Sequence, residues 1–230
     1  MEHMWSIILF EKYEIIFKRI NRHYLRFIGM IIPLFTIITS VVIYALNDAS
    51  FSLHTHYLSH LGGAPKGAGL IFNIGMMVSG LIMIFFFLNL SAFLRRKNAN
   101  TLLIYSSFIS GVISSFGIFF LGVFPYTVTQ ELHNFSASFF FLGGFSYCIL
   151  YGISEWTTQG ISKFQASLGF ILALFFLIFI SFTAINYFNS ELFLEQSHLS
   201  EWILFFVLMF WIIEHEISMT RDKRNILKQS

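Results

Sequence analysis

The sequence predicts an all-α integral membrane protein, a bundle of six helices, and three observations lead there. Hydrophobic residues make up 56% of the 230-residue chain and charged residues only 11%, against roughly 25% charged in an average soluble domain. Six apolar runs, at roughly 26–46, 69–94, 101–122, 130–153, 165–187 and 199–219, each approach or reach the length of about 20 residues that crosses about 30 Å of hydrocarbon. Their connections are short, so residues 26–220 read as one six-span domain, with an N-terminal segment (1–25) before it and a basic tail (221–230) after it.

Charge placement sets the expected orientation. Of the fourteen Lys and Arg residues, all but Lys66 fall before span 1, between spans 2 and 3, between spans 4 and 5, or after span 6. The positive-inside bias then puts both termini in the cytoplasm and the three remaining connections outside the inner (plasma) membrane. The net charge is only +2, so nucleic acid is not an expected partner. Membrane lipids are, and a protein partner stays open.

Before span 1, Leu9, Tyr13, Ile16, Phe17, Ile20 and Tyr24 fall on one helical face, with Glu11, Glu14, Lys18 and Arg22 on the other. That is the pattern of an amphipathic helix lying in the inner interface. Glu11, Lys12 and Glu14 cut the first apolar run too short for a cleaved signal, so span 1 is expected to serve as the insertion signal. Span 1 carries Pro33, whose ring removes a backbone donor and predicts a kink. Span 2 opens after the GGAPKGAG run and holds Asn73 and Asn89, which in hydrocarbon are expected to find partners on neighbouring helices.

Span 3 sets Ser106, Ser110 and Ser114 at four-residue spacing beside Ser107, Gly111 and Ser115. Such a stripe is a packing seam first and, in a sharper reading, a polar lumen. Span 4 is expected to start at a capping box, Thr127 with Gln130, and it buries the single cysteine, Cys148. Span 5 repeats the small-residue device with Ser162, Ala166, Gly169 and Ala173. Span 6 ends in Glu214, His215 and Glu216, expected to pair with Arg22, Arg26 or Lys163, because unpaired carboxylates are costly in lipid.

Function concentrates in Asp48–Asn73, the one long run neither greasy nor strongly charged, which holds three of the eight histidines. The first connection contributes Asp48, His54, His56, Ser59, His60 and Lys66, the second Glu131 and His133, and the third His198. Bundled spans would gather them in one headgroup-level pocket, and three chemistries compete for it. His54-x-His56 and His56-x-x-x-His60 have spacings used for zinc, with a carboxylate or His133 to complete the shell, and His54 and His56 are the expected ligands. Alternatively, an imidazole takes a proton from Ser59 or water while Glu131 or Asp48 orients the ring. In the third, the amides around Gly62, Gly63, Gly67 and Gly69, the start of span 2 and Lys66 capture an anionic headgroup.

Some of these residues carry a resemblance. Tyr57-Leu58-Ser59-His60-Leu61-Gly62, Phe72-Asn73-Ile74-Gly75, Phe124-Pro125 and Leu132-His133-Asn134 resemble a prokaryotic six-span membrane family known only as domain of unknown function nine-nine-eight. More distantly the chain is similar to the DRAM proteins and GPI-anchor lipid remodelling factors. The resemblance implies a six-helix fold with the outer loop packed over it, a role in handling lipids, and site positions at Ser59, Gly62, Asn73 and His133. His60 stands where that pattern has an acidic residue.

The expected function is therefore recognition, and in its fuller form remodelling, of a lipid headgroup. Lys66, Gly62, Gly63 and Asp48 are the expected ligand contacts, Asn73 fixes the loop, and His60 and His133 exchange protons with Ser59 and Glu131 beside them. A small transporter or channel and a non-catalytic scaffold subunit are the alternatives.

Overall fold

The computed structural model describes residues 22–189 and 192–229. Most of the interfacial helix expected over 1–25 lies outside the described residues. Six long helices follow one another: α1 (Arg22–Asn47), α2 (Ala68–Arg96), α3 (Thr101–Val123), α4 (Gln130–Thr157), α5 (Lys163–Phe188) and α6 (Leu194–Gln229). A short 3₁₀ helix, Leu58–Gly63, lies between α1 and α2. Helices α2 to α5, and α6 over Leu194–Asp222, are long and apolar enough to cross a membrane, while α1 contributes the shorter apolar stretch Ile31–Asn47. This all-α bundle of apolar helices fits a membrane.

Local chemistry sets several of the boundaries. Asn100 starts α3 by accepting a hydrogen bond from Leu103 N at 3.2 Å, and Ser162 does the same for α5 through Phe164 N. Gly67, at φ 84°, takes the left-handed conformation that turns the chain into α2. The capping box expected at Thr127 does not form. Thr129 is the residue at the cap of α4 and makes no side-chain bond there, because Pro125 opens a turn in which Val128 and Thr129 donate back to its carbonyl.

Each helix packs on its neighbour in sequence, so the chain runs up and down around a ring. The ring closes where Trp211 of α6 meets Phe86 of α2, with ring centroids 5.4 Å apart. The small residues of α3 act as the seam: a Cβ on Gly117 would stand 2.4 Å from Phe140 N of α4. The buried hydroxyls of Ser107 and Ser115 donate to carbonyls of their own helix, and Ser114 donates to Phe140 O across the interface at 3.0 Å. These bonds and close approaches fit the packing reading of the stripe. Asn89 donates its Nδ2 to Phe85 O of its own helix at 2.9 Å.

Of the basic partners expected for the polar end of α6, the side chains of Arg22 and Arg26 lie outside those described, and His215 has an acidic partner. His215 pairs with Glu155 of α4 at 3.0 Å, and both side chains are fully buried. Gln165 of α5 donates to the same carboxylate oxygen at 2.9 Å and accepts from Ser218 Oγ at 2.6 Å. Three helices are thereby tied at the end away from the histidine loop. Lys163 instead donates to Trp156 O and lies over that indole ring.

Candidate functional site

The loop after α1 begins with a turn held by Asp48, whose carboxylate accepts from Ser50 N at 2.9 Å and Ser50 Oγ at 2.6 Å. Those two hydrogen bonds hold its carboxyl below the usual carboxylate range. The chain then drops Leu58 and Leu61 into the bundle. The first turns of α6 fasten it there. His198 Nδ1 donates to His54 O at 2.8 Å, Trp202 Nε1 donates to His56 O at 2.9 Å, and Tyr57 donates its hydroxyl to Ser197. Ser59 N donates to Glu201 Oε2 at 3.4 Å, and from α2 Asn73 Nδ2 donates to Gly62 O at 3.0 Å.

Beneath this loop lies a cavity of about 550 Å³, lined in part by Tyr57, Ser59, His60, Tyr126, His133 and Glu201. That volume falls within the roughly 300–1,000 Å³ of small-molecule pockets. His60 stacks on Tyr126 with ring centroids 4.5 Å apart and meets the edge of Tyr57 at 5.1 Å. Burial, and then the neighbouring imidazoles of His198, His56 and His133, push its pKa from 6.5 down to about 4. His60 is neutral at pH 7. His133, in the first turn of α4, donates its Nδ1 proton to Phe124 O at 3.0 Å. A carbonyl can only accept, so the neutral ring carries its lone pair on Nε2.

A second, apolar crevice of about 80 Å³ adjoins the first. It shares Ser59, Leu121, His133, Phe141 and Glu201 with the larger cavity and reaches Met209 and Ile212 of α6. At 1.5 Å per helical residue, Glu201 to Ile212 spans about 16 Å. The larger space carries Ser59, His60, His133 and Glu201 on an otherwise largely apolar wall, and the crevice beside it is apolar and runs into the bundle.

The residues singled out from sequence divide sharply. Ser59, His60 and His133 line the chamber. Lys66, in a left-handed turn at φ 54°, and Glu131 are exposed and line neither cavity. Gly62 packs against Asn73, and Gly63 faces Thr127, where a Cβ would come within 2.4 Å of Thr127 Cγ2. His54 Nδ1 lies 2.6 Å from Glu195 Oε1, while His56 Nδ1 lies 2.8 Å from Thr55 Oγ1. The two rings expected to share a zinc ion therefore have separate partners. Among the described residues no group of three or more His, Cys, Asp or Glu is placed to hold a metal.

Glu201, Tyr57 and Tyr126 were missed as site residues. The signal for Glu201 lies in His198-x-x-Glu201-Trp202, a spacing that puts all three side chains on one helical face. That face turns out to receive the loop. A family comparison then bears on the whole arrangement, because the model of a protein family of unknown function, DUF998, matches residues 30–214. The chain belongs to the DUF998 family. No curated protein and no solved structure matches it. In this DUF998 chain the matched region takes in the loop, the whole lining of the larger cavity and Glu155, and ends one residue short of His215.

The depressed His60 pKa carries a pH prediction. The folded state resists protonating this ring, so its unfolded form binds the extra proton first and stability falls as pH drops from 6.5 toward about 4. His60→Asn is expected to make that acid decline shallower in thermal unfolding of the purified protein. Parallel curves for the two proteins across this window would show that His60 does not titrate as described.

Proposed function

We propose that this chain is a six-span protein of the inner (plasma) membrane, both termini cytoplasmic, that binds a membrane amphiphile. The headgroup occupies the chamber under the histidine loop, and a short stretch of one hydrocarbon tail enters the crevice. The observation that carries this reading is the set of five residues common to the two cavities, which sets a space bearing polar groups directly beside an apolar one. Charge placement supports the orientation, since Lys66 is the only Lys or Arg assigned to the loop face. A remodelling step would use His133 as proton acceptor through Nε2, with Ser59 and His60 beside it in the chamber.

Ser79 provides the test. It is buried on α2, lines the crevice, and its hydroxyl has no partner among the described residues. Ser79→Leu should fill the crevice with a side chain and leave the fold intact. Native mass spectrometry of the protein extracted from membranes is expected to show one bound lipid per chain in the parent and none in the variant. Equal lipid occupancy in the two proteins would exclude the crevice as the tail site.

A further inference from the structure

We propose that the chamber under the histidine loop selects a positively charged headgroup, a primary or quaternary ammonium. This rests on the amphiphile reading above and adds the chemical class of the ligand. The first observation is the charge of the walls: among the described residues Glu201 lines the chamber, and no Lys or Arg does. Lys66, the cation of the loop, is exposed and lies outside both cavities. An anionic headgroup would therefore meet a carboxylate and no counter-charge.

The second observation is the state of Glu201 itself. It is 8% exposed, and among the described residues no Lys, Arg or His lies within ion-pair distance of it. The backbone N–H groups of Ser59 and Leu58 and the Ser59 hydroxyl supply dipoles but no charge. A buried carboxyl without a partner cation is costly to ionise, and a bound ammonium would offset that cost. The third observation is the aromatic wall. Tyr57 and Tyr126 line the same chamber, on either side of the His60 ring, and aromatic faces attract ammonium groups within about 6 Å. Carboxylate and phenol rings together form a cation receptor, and the neutral imidazoles add no opposing charge.

The test offers the full-length protein, purified in a polyether detergent, an equimolar mixture of lipids with matched chains: phosphatidylcholine, phosphatidylglycerol and a glucosyl diacylglycerol. Native mass spectrometry reads which one is retained. The choline lipid is expected to be retained about tenfold over the other two, within the range of a desolvated cation–π contact. Glu201→Gln should bring that ratio close to one. Because Glu201 also anchors the loop, Tyr126→Leu serves as the second variant, expected to lower choline retention several-fold and leave the glucoside unchanged. Retention led by phosphatidylglycerol or the glucoside, or a ratio indifferent to both substitutions, overturns the ammonium assignment.

Ser79→Leu and free choline separate the two levels of the argument. If lipid is retained, is lost in Ser79→Leu, and shows no ammonium preference, the assignment of headgroup fails and the amphiphile reading stands. If no lipid is retained but millimolar free choline raises the melting temperature of the parent and not of Glu201→Gln, the ammonium site stands. The lipid is then replaced by a soluble cation as its source.

Discussion

His215→Ala is expected to remove about 3–5 kcal/mol of stability, the usual cost of taking one partner from a buried ion pair. Glu155 and His215 are both fully buried, and the other Glu155 oxygen, Oε2, has no hydrogen-bond partner among the described residues. Deleting the imidazole leaves the carboxylate with the Gln165 amide alone. Replacing both partners, Glu155→Leu with His215→Leu, removes the buried carboxylate along with its partner and should recover most of the loss. Thermal unfolding of the three proteins in one detergent distinguishes these cases. A single mutant that melts with the parent would mean that water reaches Glu155 and the pair is not sealed.

Gly117→Ala should be nearly as damaging, although alanine is the better helix former by about 1 kcal/mol. The new methyl would lie 2.4 Å from Phe140 N and 2.8 Å from Phe140 Cα, both backbone atoms of α4. Backbone cannot swing aside, so α3 and α4 must separate along their length and lose contact throughout the seam. Overpacking of this kind costs about 1–3 kcal/mol or more, which outweighs the gain in propensity. Gly152→Ala is the matched control, because its nearest neighbours are ring atoms of Phe170 at 3.1 to 3.3 Å. A side chain can yield by a few tenths of an ångström, so the control should accumulate in membranes like the parent. Equal yields of folded Gly117→Ala would refute the close approach of the two helices.

What could be read from the sequence follows the range of the interactions concerned. A spanning helix is a local property, fixed by apolar length, and span 3 at roughly 101–122 became α3 at Thr101–Val123. The small-residue stripe was legible for the same reason. The ties of the loop to α6 were not, because His54 and His198, or Ser59 and Glu201, meet across more than 140 positions of chain. Nothing local to Glu201 names a partner so far away in the chain. The expected partners of His215 were the nearest basic clusters, whereas the fold supplied an acid from the last turns of α4. Lys66 drew notice as the single outward cation, yet a left-handed turn carries it away from the chamber.

The crevice that descends from Glu201 toward Ile212 has a consequence for where selectivity resides. In the proposed complex a tail sliding into it from the bilayer would exchange one oily surrounding for another, so dehydration, the force that drives grease out of water, would contribute little to capture. Chain length and saturation are then weak determinants for any guest lodged there. Discrimination falls to the few polar atoms at the top of the shaft, where a mismatched group would be stranded beside a carboxylate away from solvent.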